Sequence, residues 1–168
     1  MDRHLFLVRH AQAVIPSSGQ PDFERELTPT GFFEASRMGT HLTQLGVQPG
    51  IIVTRPALRA LTTAQFMAEQ MGYDTEKLVV EPLLYEEFAL QSFVEMINRV
   101  ADQHGAVMIV GHNPKQTYLS EYFTHEDLGS LPTGGVVHIA FENQCWAEVS
   151  GGTGKVVRFE YPDKPTEP

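Results

Sequence analysis

Two histidines and two arginines carry the side chains best suited to phosphate chemistry in this sequence. Arg9 and His10 directly follow one apolar run, His112 follows another, and Arg59 comes shortly after a third. A guanidinium group binds phosphate oxygens through paired hydrogen bonds and keeps its charge when partly buried. A neutral imidazole nitrogen can accept a phosphoryl group. These residue types favour phosphoryl transfer if the fold brings them to one place.

Short apolar runs predict the strands that must position these side chains. The runs are Leu5–Val8, Ile51–Val53 and Val107–Val110. Short continuous apolar runs are typical of parallel strands buried on both faces. Ligands of open α/β sheets bind beyond the carboxyl ends of the strands. The polar residues that follow the runs, which include Arg55, are therefore expected to meet in one crevice.

Apolar residues at helical spacing predict four helices between and after these strands. One ends at Gly46, one runs from near Pro56 to Gly72, one covers Gln91–Val100, and one begins at Pro114. Strands alternating with helices indicate an α/β fold with right-handed crossovers. We therefore expect a three-layer α/β/α sandwich with a largely parallel central sheet.

The pattern changes after the fourth helix, where short segments with turns between them predict an antiparallel edge. The expected strands are Val136–Phe141, Cys145–Val149 and Lys155–Tyr161. At 168 residues the chain is near the usual size of one domain. We expect a single domain over residues 1–161 and a C-terminal tail over residues 162–168.

Composition excludes several classes of partner. The formal net charge of −9 disfavours binding to nucleic acid and to anionic membranes. No apolar run approaches the length of a membrane span or of a signal-peptide core. A single cysteine, Cys145, suits a reducing compartment, so the cytoplasm is the expected location. The sequence has no HExxH motif, paired cysteines or clustered carboxylates, so neither a metal nor another cofactor is expected.

Three segments resemble motifs of the histidine phosphatase superfamily, the phosphoglycerate mutase-like enzymes. Val8-Arg9-His10-Ala11 resembles its Arg-His-Gly signature, Arg55–Ala64 its Ser-Pro-x-x-Arg-Ala-x-Gln-Thr-Ala motif, and Val110–Pro114 the segment of its second histidine. The short length, the Arg25–Gly31 segment and the Gly-His-Asn-Pro run are most similar to the small SixA-type phosphohistidine phosphatases. The chain departs from the motifs at three positions, Ala11 for glycine, Arg55 for serine and Thr62 for glutamine.

The resemblance implies a role for each candidate residue. His10 would become the phosphorylated nucleophile, Arg9 and Arg59 would bind the phosphoryl oxygens, and His112 would act as a cation or hydrogen-bond donor on the other flank. Glu86, in preference to Glu87, would be the general acid. Arg25 would contact the substrate, Asn113 would lie where backbone N–H groups bind the anion, and Arg55 would add a further cation.

The expected function is therefore a metal-independent phosphatase acting on phosphohistidine of a protein. The chain has no long insertion that would form a lid, which favours an open crevice and a protein substrate over a small metabolite. Two alternatives stay open: a phosphatase for small phosphomonoesters, and a non-catalytic phosphate-binding module. Mutase activity would need a phosphoenzyme shielded from water, which a site without a lid would provide poorly.

Overall fold

A central sheet of six strands organises the computed structural model, which describes residues 1–165. The strand order is β3-β2-β4-β1-β5-β6. The first four strands are mutually parallel, β5 is antiparallel to β1, and β6 is antiparallel to β5. The strands are β1 Arg3–Arg9, β2 Ile51–Thr54, β3 Val79–Val80, β4 Ala106–Gly111, β5 Val136–Phe141 and β6 Lys155–Glu160.

Helices cover both faces of the sheet, which confirms the predicted three-layer sandwich with an antiparallel C-terminal edge. On one face α1 and α2 bury small and aliphatic side chains against the sheet. On the other face α3 and α4 pack over an aromatic core that contains Phe93, Phe123 and Trp146. The α-helices are α1 Pro29–Gln44, α2 Leu58–Gln70, α3 Leu90–Asn98 and α4 Lys115–Thr124.

The helix ends follow the local signals in the sequence. The Thr28 side chain accepts a hydrogen bond from the backbone of Gly31, and Pro29 occupies the first position of α1. Gly46 and Gly72 follow α1 and α2 with φ of 82° and 69°, a backbone region that glycine adopts without strain. These stops agree with the two helix ends expected from the sequence.

The predicted strand Cys145–Val149 is wrong. Residues Trp146–Glu148 form a 3-10 helix, and the carboxylate of Glu148 accepts a hydrogen bond from the backbone N–H of Cys145. The buried side chains in this segment are Trp146 and Val149, three residues apart, which is the spacing of one helical turn. The Trp146 indole N–H donates a hydrogen bond to the carbonyl of His104, so the indole ring lies beneath the 3-10 helix.

β3 is a strand of two exposed residues, too short to give a periodic signal. Of the predicted tail, residues 162–165 lie beyond β6, and residues 166–168 lie outside the described part of the chain. The assignment of residues 1–161 to one domain stays a prediction. No helix within residues 1–165 has the length and apolar character needed to cross a membrane.

Candidate active site

Strand register brings the two predicted histidines to adjacent positions. Arg9, the last residue of β1, pairs with Gly111, the last residue of β4. The backbone N–H of His10 then donates to the carbonyl of Gly111 over 2.9 Å. Because the two strands are parallel and neighbouring, His10 and His112 leave the same edge of the sheet side by side.

The arginines reach this edge from β2 and from the helix that follows it. The backbone N–H of Arg55 donates to the carbonyl of Val110, which fixes the end of β2 against β4. Arg59 lies in the first turn of α2, and its side chain is almost fully buried. The charges of Arg9, Arg55 and Arg59 all act on His10, so the predicted cations converge on the predicted nucleophile.

One hydrogen bond fixes which nitrogen of His10 is free. Nδ1 of His10 lies 2.8 Å from the carbonyl oxygen of Ala11, so Nδ1 carries the proton and donates it. Burial lowers the pKa of His10 to about 4, the Ala11 bond opposes the shift, and the nearby guanidinium charges add to it. The ring is therefore neutral at neutral pH, and Nε2 has a free lone pair.

The backbone after His10 is tied to α2. The N–H of the buried Ala11 donates to Oγ1 of Thr63, and that hydroxyl donates to the carbonyl of Arg59. The φ angle of Ala11 is not positive, so alanine fits the backbone at this position, where the family motif has glycine. Thr63 was not among the predicted site residues, although it falls inside the motif that contains Arg59.

The arginines retain donors that no protein group uses among residues 1–165. Arg9 donates to the carbonyl of Leu131 over 2.9 Å, and Arg55 donates to the carbonyl of Leu84 over 3.1 Å. Nε of Arg9, Nη1 of Arg55 and Nε of Arg59 are buried and have no partner there. Buried donors are costly when unpaired, and the oxygens of an anion are acceptors that match them.

Asp22 accepts hydrogen bonds from both terminal nitrogens of Arg59. The sequence analysis did not single out this residue. Nη1 of Arg59 donates to the backbone oxygen of Asp22 over 2.8 Å, and Nη2 donates to its Oδ2 over 3.0 Å. Asp22 begins a 3-10 helix, Asp22–Glu24, in the long loop after β1. A single aspartate in a loop carries no periodic or motif signal, so only the fold reveals this contact.

His112 is neutral in the free site. Burial lowers the pKa of its ring to about 4, and the charges of Arg55, Arg59 and Lys115 lower it further. Of the two forms that the sequence allowed, a cation or a neutral donor, the lowered pKa favours the neutral donor. A bound anion would raise this pKa, because it would offset the surrounding positive charge.

The loop and helix after β4 hold His112 in place. Nδ2 of Asn113 donates to Oγ of Ser130 and to the carbonyl of Leu131, and its Oδ1 accepts from Thr117. The Asn113 side chain therefore anchors the neighbouring loop, and its part in substrate binding stays a prediction. Nε2 of the buried Gln116 donates to the carbonyls of Val8 and Ile109, a link between α4 and strands β1 and β4 that the sequence did not suggest.

The two remaining candidates, Arg25 and Glu86, lie on loops. Arg25 donates from Nε to the carbonyl of Val14 and from Nη1 to Oδ1 of Asp22, over 3.1 and 3.4 Å. Glu86 is an exposed residue on the loop after Tyr85, and the Tyr85 ring lies 4.6 Å from the Arg55 guanidinium. Their roles as substrate contact and general acid stay predictions. Within residues 1–165, no three His, Cys, Asp or Glu side chains cluster closely enough to hold a metal ion.

Comparison with known proteins gives relatives that cover different parts of the chain. Serine/threonine-protein phosphatase Pgam5, mitochondrial, of Drosophila ananassae is 34% identical over 77 residues, which are 46% of this chain and 26% of that protein. The chain thus spans about a quarter of the length of that relative. An uncharacterized protein of Mycobacterium tuberculosis is 27% identical over 165 residues, covering 92% of this chain and 99% of its own.

Solved structures share the whole fold. The protein histidine phosphatase SixA complexed with tungstate superimposes with a TM-score of 0.81 at 19% identity, over 95% of this chain and 97% of that one. A structure assigned as phosphohistidine phosphatase SixA from Agrobacterium tumefaciens gives a TM-score of 0.79 at 24% identity, over 95% and 98% of the two chains. These matches confirm the architecture.

A match between the sequence and a family model assigns the chain to a protein family. The family model described as histidine phosphatase superfamily (branch 1) matches residues 5–90, which include Arg9, His10 and Arg59. His112 lies beyond the matched residues, but the register of β1 and β4 brings it beside His10. The chain therefore belongs to the histidine phosphatase superfamily, branch 1.

Proposed function

We propose that this chain is a metal-independent phosphatase that forms a covalent phosphohistidine on His10. The observation that carries the proposal is the state of the His10 ring, which is neutral, donates from Nδ1 to the Ala11 carbonyl and lies among the charges of three arginines. Membership of the histidine phosphatase superfamily supports the same activity. A neutral nitrogen facing a cationic crevice combines a nucleophile with a binding site for the group it attacks.

The side chains fit the two chemical steps of this reaction. Nε2 of His10 attacks phosphorus while the guanidinium groups of Arg9 and Arg59 bind the equatorial oxygens, where charge accumulates in the transition state. His112 donates a hydrogen bond on the opposite flank as the leaving group departs. Water then attacks the phosphorus of phosphorylated His10, and the N–P bond breaks to give inorganic phosphate.

The favoured substrate is phosphohistidine on a protein. Support comes from the similarity in fold to the protein histidine phosphatase SixA. A phosphomonoester needs a proton on its leaving oxygen, whereas protonated phosphohistidine releases a neutral imidazole without one. The cytoplasm stays the expected location.

Trapping of the phosphoenzyme tests the mechanism. We expect incubation with a radiolabelled phosphohistidine peptide to leave acid-labile label on the protein, and His10→Ala to abolish both label and turnover. His125→Asn is a matched control, because His125 is an exposed histidine with φ of 57°, a conformation that asparagine tolerates. EDTA should leave the rate unchanged. Undiminished hydrolysis by His10→Ala would rule out the covalent mechanism.

A substrate comparison separates the proposal from its alternatives. We expect a higher kcat/KM for a phosphohistidine protein than for sugar phosphates. A clear preference for sugar phosphates would favour a phosphatase of small phosphomonoesters. Binding of inorganic phosphate without turnover of either substrate would indicate a non-catalytic phosphate-binding module.

A further inference from the structure

Asp22 places a negative charge at the edge of a largely cationic site, in which Glu34 is a second acidic group that acts on Arg9. The Asp22 carboxylate contacts Arg59 over 3.0 Å and Arg25 over 3.4 Å, and it acts electrostatically on Arg55 and His112. Partial burial raises the pKa of Asp22, but the hydrogen bonds and charges of the two contacting arginines outweigh this effect and hold it below the ordinary value. The carboxylate is therefore ionised at neutral pH.

Asp22 lies between the buried arginines of the site and solvent. His10, Arg55 and Arg59 are buried, whereas half of the Asp22 side chain is exposed to solvent. Phe23, the next residue, is also exposed, and its ring packs edge-on against Tyr85, whose ring lies against the Arg55 guanidinium. A substrate whose phosphoryl group reaches the buried His10 would therefore keep the rest of its structure on the solvent side, where Asp22 is exposed.

The carboxylate also has bonding capacity left for a ligand. Oδ2 accepts from Nη2 of Arg59 and from the hydroxyl of Tyr85, and Oδ1 accepts from Nη1 of Arg25. A carboxylate offers about four acceptor positions, so three protein donors leave about one position unused. An N–H group of a substrate can take that position on the exposed side.

We propose that Asp22 is a specificity-determining residue that selects substrates whose leaving group is a protonated imidazole. This proposal rests on the proposed function, because it concerns the group transferred to His10. The carboxylate would accept a hydrogen bond from the unphosphorylated ring nitrogen of phosphohistidine and attract its positive charge. It would repel the anionic groups carried by many small phosphorylated metabolites.

The chemistry of the transfer balances without a general acid. In the protonated substrate, the N–P bond breaks and its electron pair stays on the ring nitrogen, so the leaving imidazole is neutral and keeps its remaining N–H. The N–P bond that forms uses the lone pair of Nε2 of His10, whose proton stays on Nδ1 and remains hydrogen-bonded to the Ala11 carbonyl. No proton is transferred in this step, so Asp22 needs only to stabilise the protonated form of the substrate ring.

The test compares Asp22→Asn, which removes the charge and keeps the shape, with Glu24→Gln, which removes a charge from an exposed residue of the same 3-10 helix. The probes are phosphoimidazole and phenyl phosphate. We expect the ratio of their kcat/KM values to fall about threefold to tenfold in Asp22→Asn and to stay unchanged in Glu24→Gln. The wild-type ratio should also fall between about pH 6 and about pH 9, where the phosphoimidazole ring loses its proton, and Asp22→Asn should flatten that dependence.

Inhibition by inorganic phosphate distinguishes two roles of Asp22, selection of the substrate and positioning of the Arg59 side chain. Removal of a repulsive carboxylate should make phosphate bind several-fold more tightly to Asp22→Asn. Weaker phosphate binding, or an equal loss of turnover of both probes, would overturn the proposal and assign Asp22 only to holding the Arg59 side chain. Failure of the wild-type protein to turn over either probe would instead contradict the phosphatase activity.

Discussion

At the scale of single residues, the environment of His10 decides its chemistry. The ring would bind a proton near pH 6.5 in water, but in the crevice its pKa is about 4. Protonation would add a positive charge to a buried group already close to three guanidinium groups. The same environment that binds an anion therefore keeps the nucleophile unprotonated, and no separate base is needed.

An NMR titration of the histidine ring signals checks this state. We expect the Cε1–H signal of His10, assigned by its loss in His10→Ala, to stay at the neutral position from about pH 8 down to about pH 5. Addition of urea should move the titration midpoint to about pH 6.5, the ordinary value of histidine. A midpoint near that value in the folded protein would contradict a neutral nucleophile.

Residue type and position after a strand together made Arg9, His10 and His112 predictable. Arg9, His10 and His112 follow apolar runs, and their position after a strand is visible in the sequence. Asp22 was not predictable, because its contact with Arg59 joins a loop to a helix 37 residues away. Neither partner has a local pattern that specifies the other.

At the scale of elements, the first turn of α1 packs directly on the backbone that follows His10. The N–H of Thr28 donates to the carbonyl of Gln12, and Ala13 forms an isolated bridge with Leu27. Gly31 lies so close to this segment that a Cβ atom there would collide with the carbonyl oxygen of Gln12. The absence of a side chain at Gly31 thus sets the distance between α1 and the candidate nucleophile's loop.

Substitution of this glycine tests the contact. We expect Gly31→Ala to lower the free energy of unfolding by about 1–3 kcal/mol, because the added methyl group must displace backbone. It should also reduce turnover, since the displaced segment carries the Ala11 carbonyl that orients His10. Urea denaturation and steady-state kinetics measure the two effects.

Gly105→Ala is the matched control for this substitution. A Cβ atom at Gly105 would have no neighbour within 4 Å, and its φ is not in the left-handed region. We expect a change within about 0.5 kcal/mol at this position. An equal response of the two variants would show that the close approach at Gly31 is unimportant.

Helical periodicity predicted the helices and continuous apolar runs predicted the buried strands, but neither predicted the segment around Trp146. Apolar residues in α1 and α2 recur every three or four residues, and a glycine follows the C-terminus of each helix. Several local signals therefore agree. Between Cys145 and Val149 the segment is too short to distinguish a strand from one helical turn. The choice there depends on where Trp146 is buried, which is a property of the assembled core.

At the scale of the whole molecule, three histidines are held neutral by folding. The pKa values of His10, His112 and His138 are all lowered to about 4, in each case first by burial. His138 lies outside the site, where its Nε2 is 2.9 Å from Nδ1 of His4 and its ring stacks on Phe6. In the unfolded chain these rings would titrate at about 6.5.

This difference predicts the pH dependence of stability. Between about pH 6.5 and about pH 4 the unfolded chain binds more protons than the folded one, so acidification through that window favours unfolding. We expect the free energy of unfolding to fall steadily from about pH 7 to about pH 4.5, with a smaller slope in His138→Gln. Urea denaturation at several pH values measures the slope. A free energy that is constant over this window would contradict the lowered pKa values.

The position of β1 inside the sheet has a consequence for the order in which the protein can assemble during synthesis. β1 is made first, yet its two neighbours are β4 and β5, which end at Gly111 and Phe141. A nascent chain that has emerged only to residue 90 contains β1 and β2 but not β4, the strand that separates them. Until β4 and β5 emerge, β1 has neither of its neighbours in the sheet. A truncated N-terminal half would therefore expose β1 and the edge of β2 that faces β4 to aggregation.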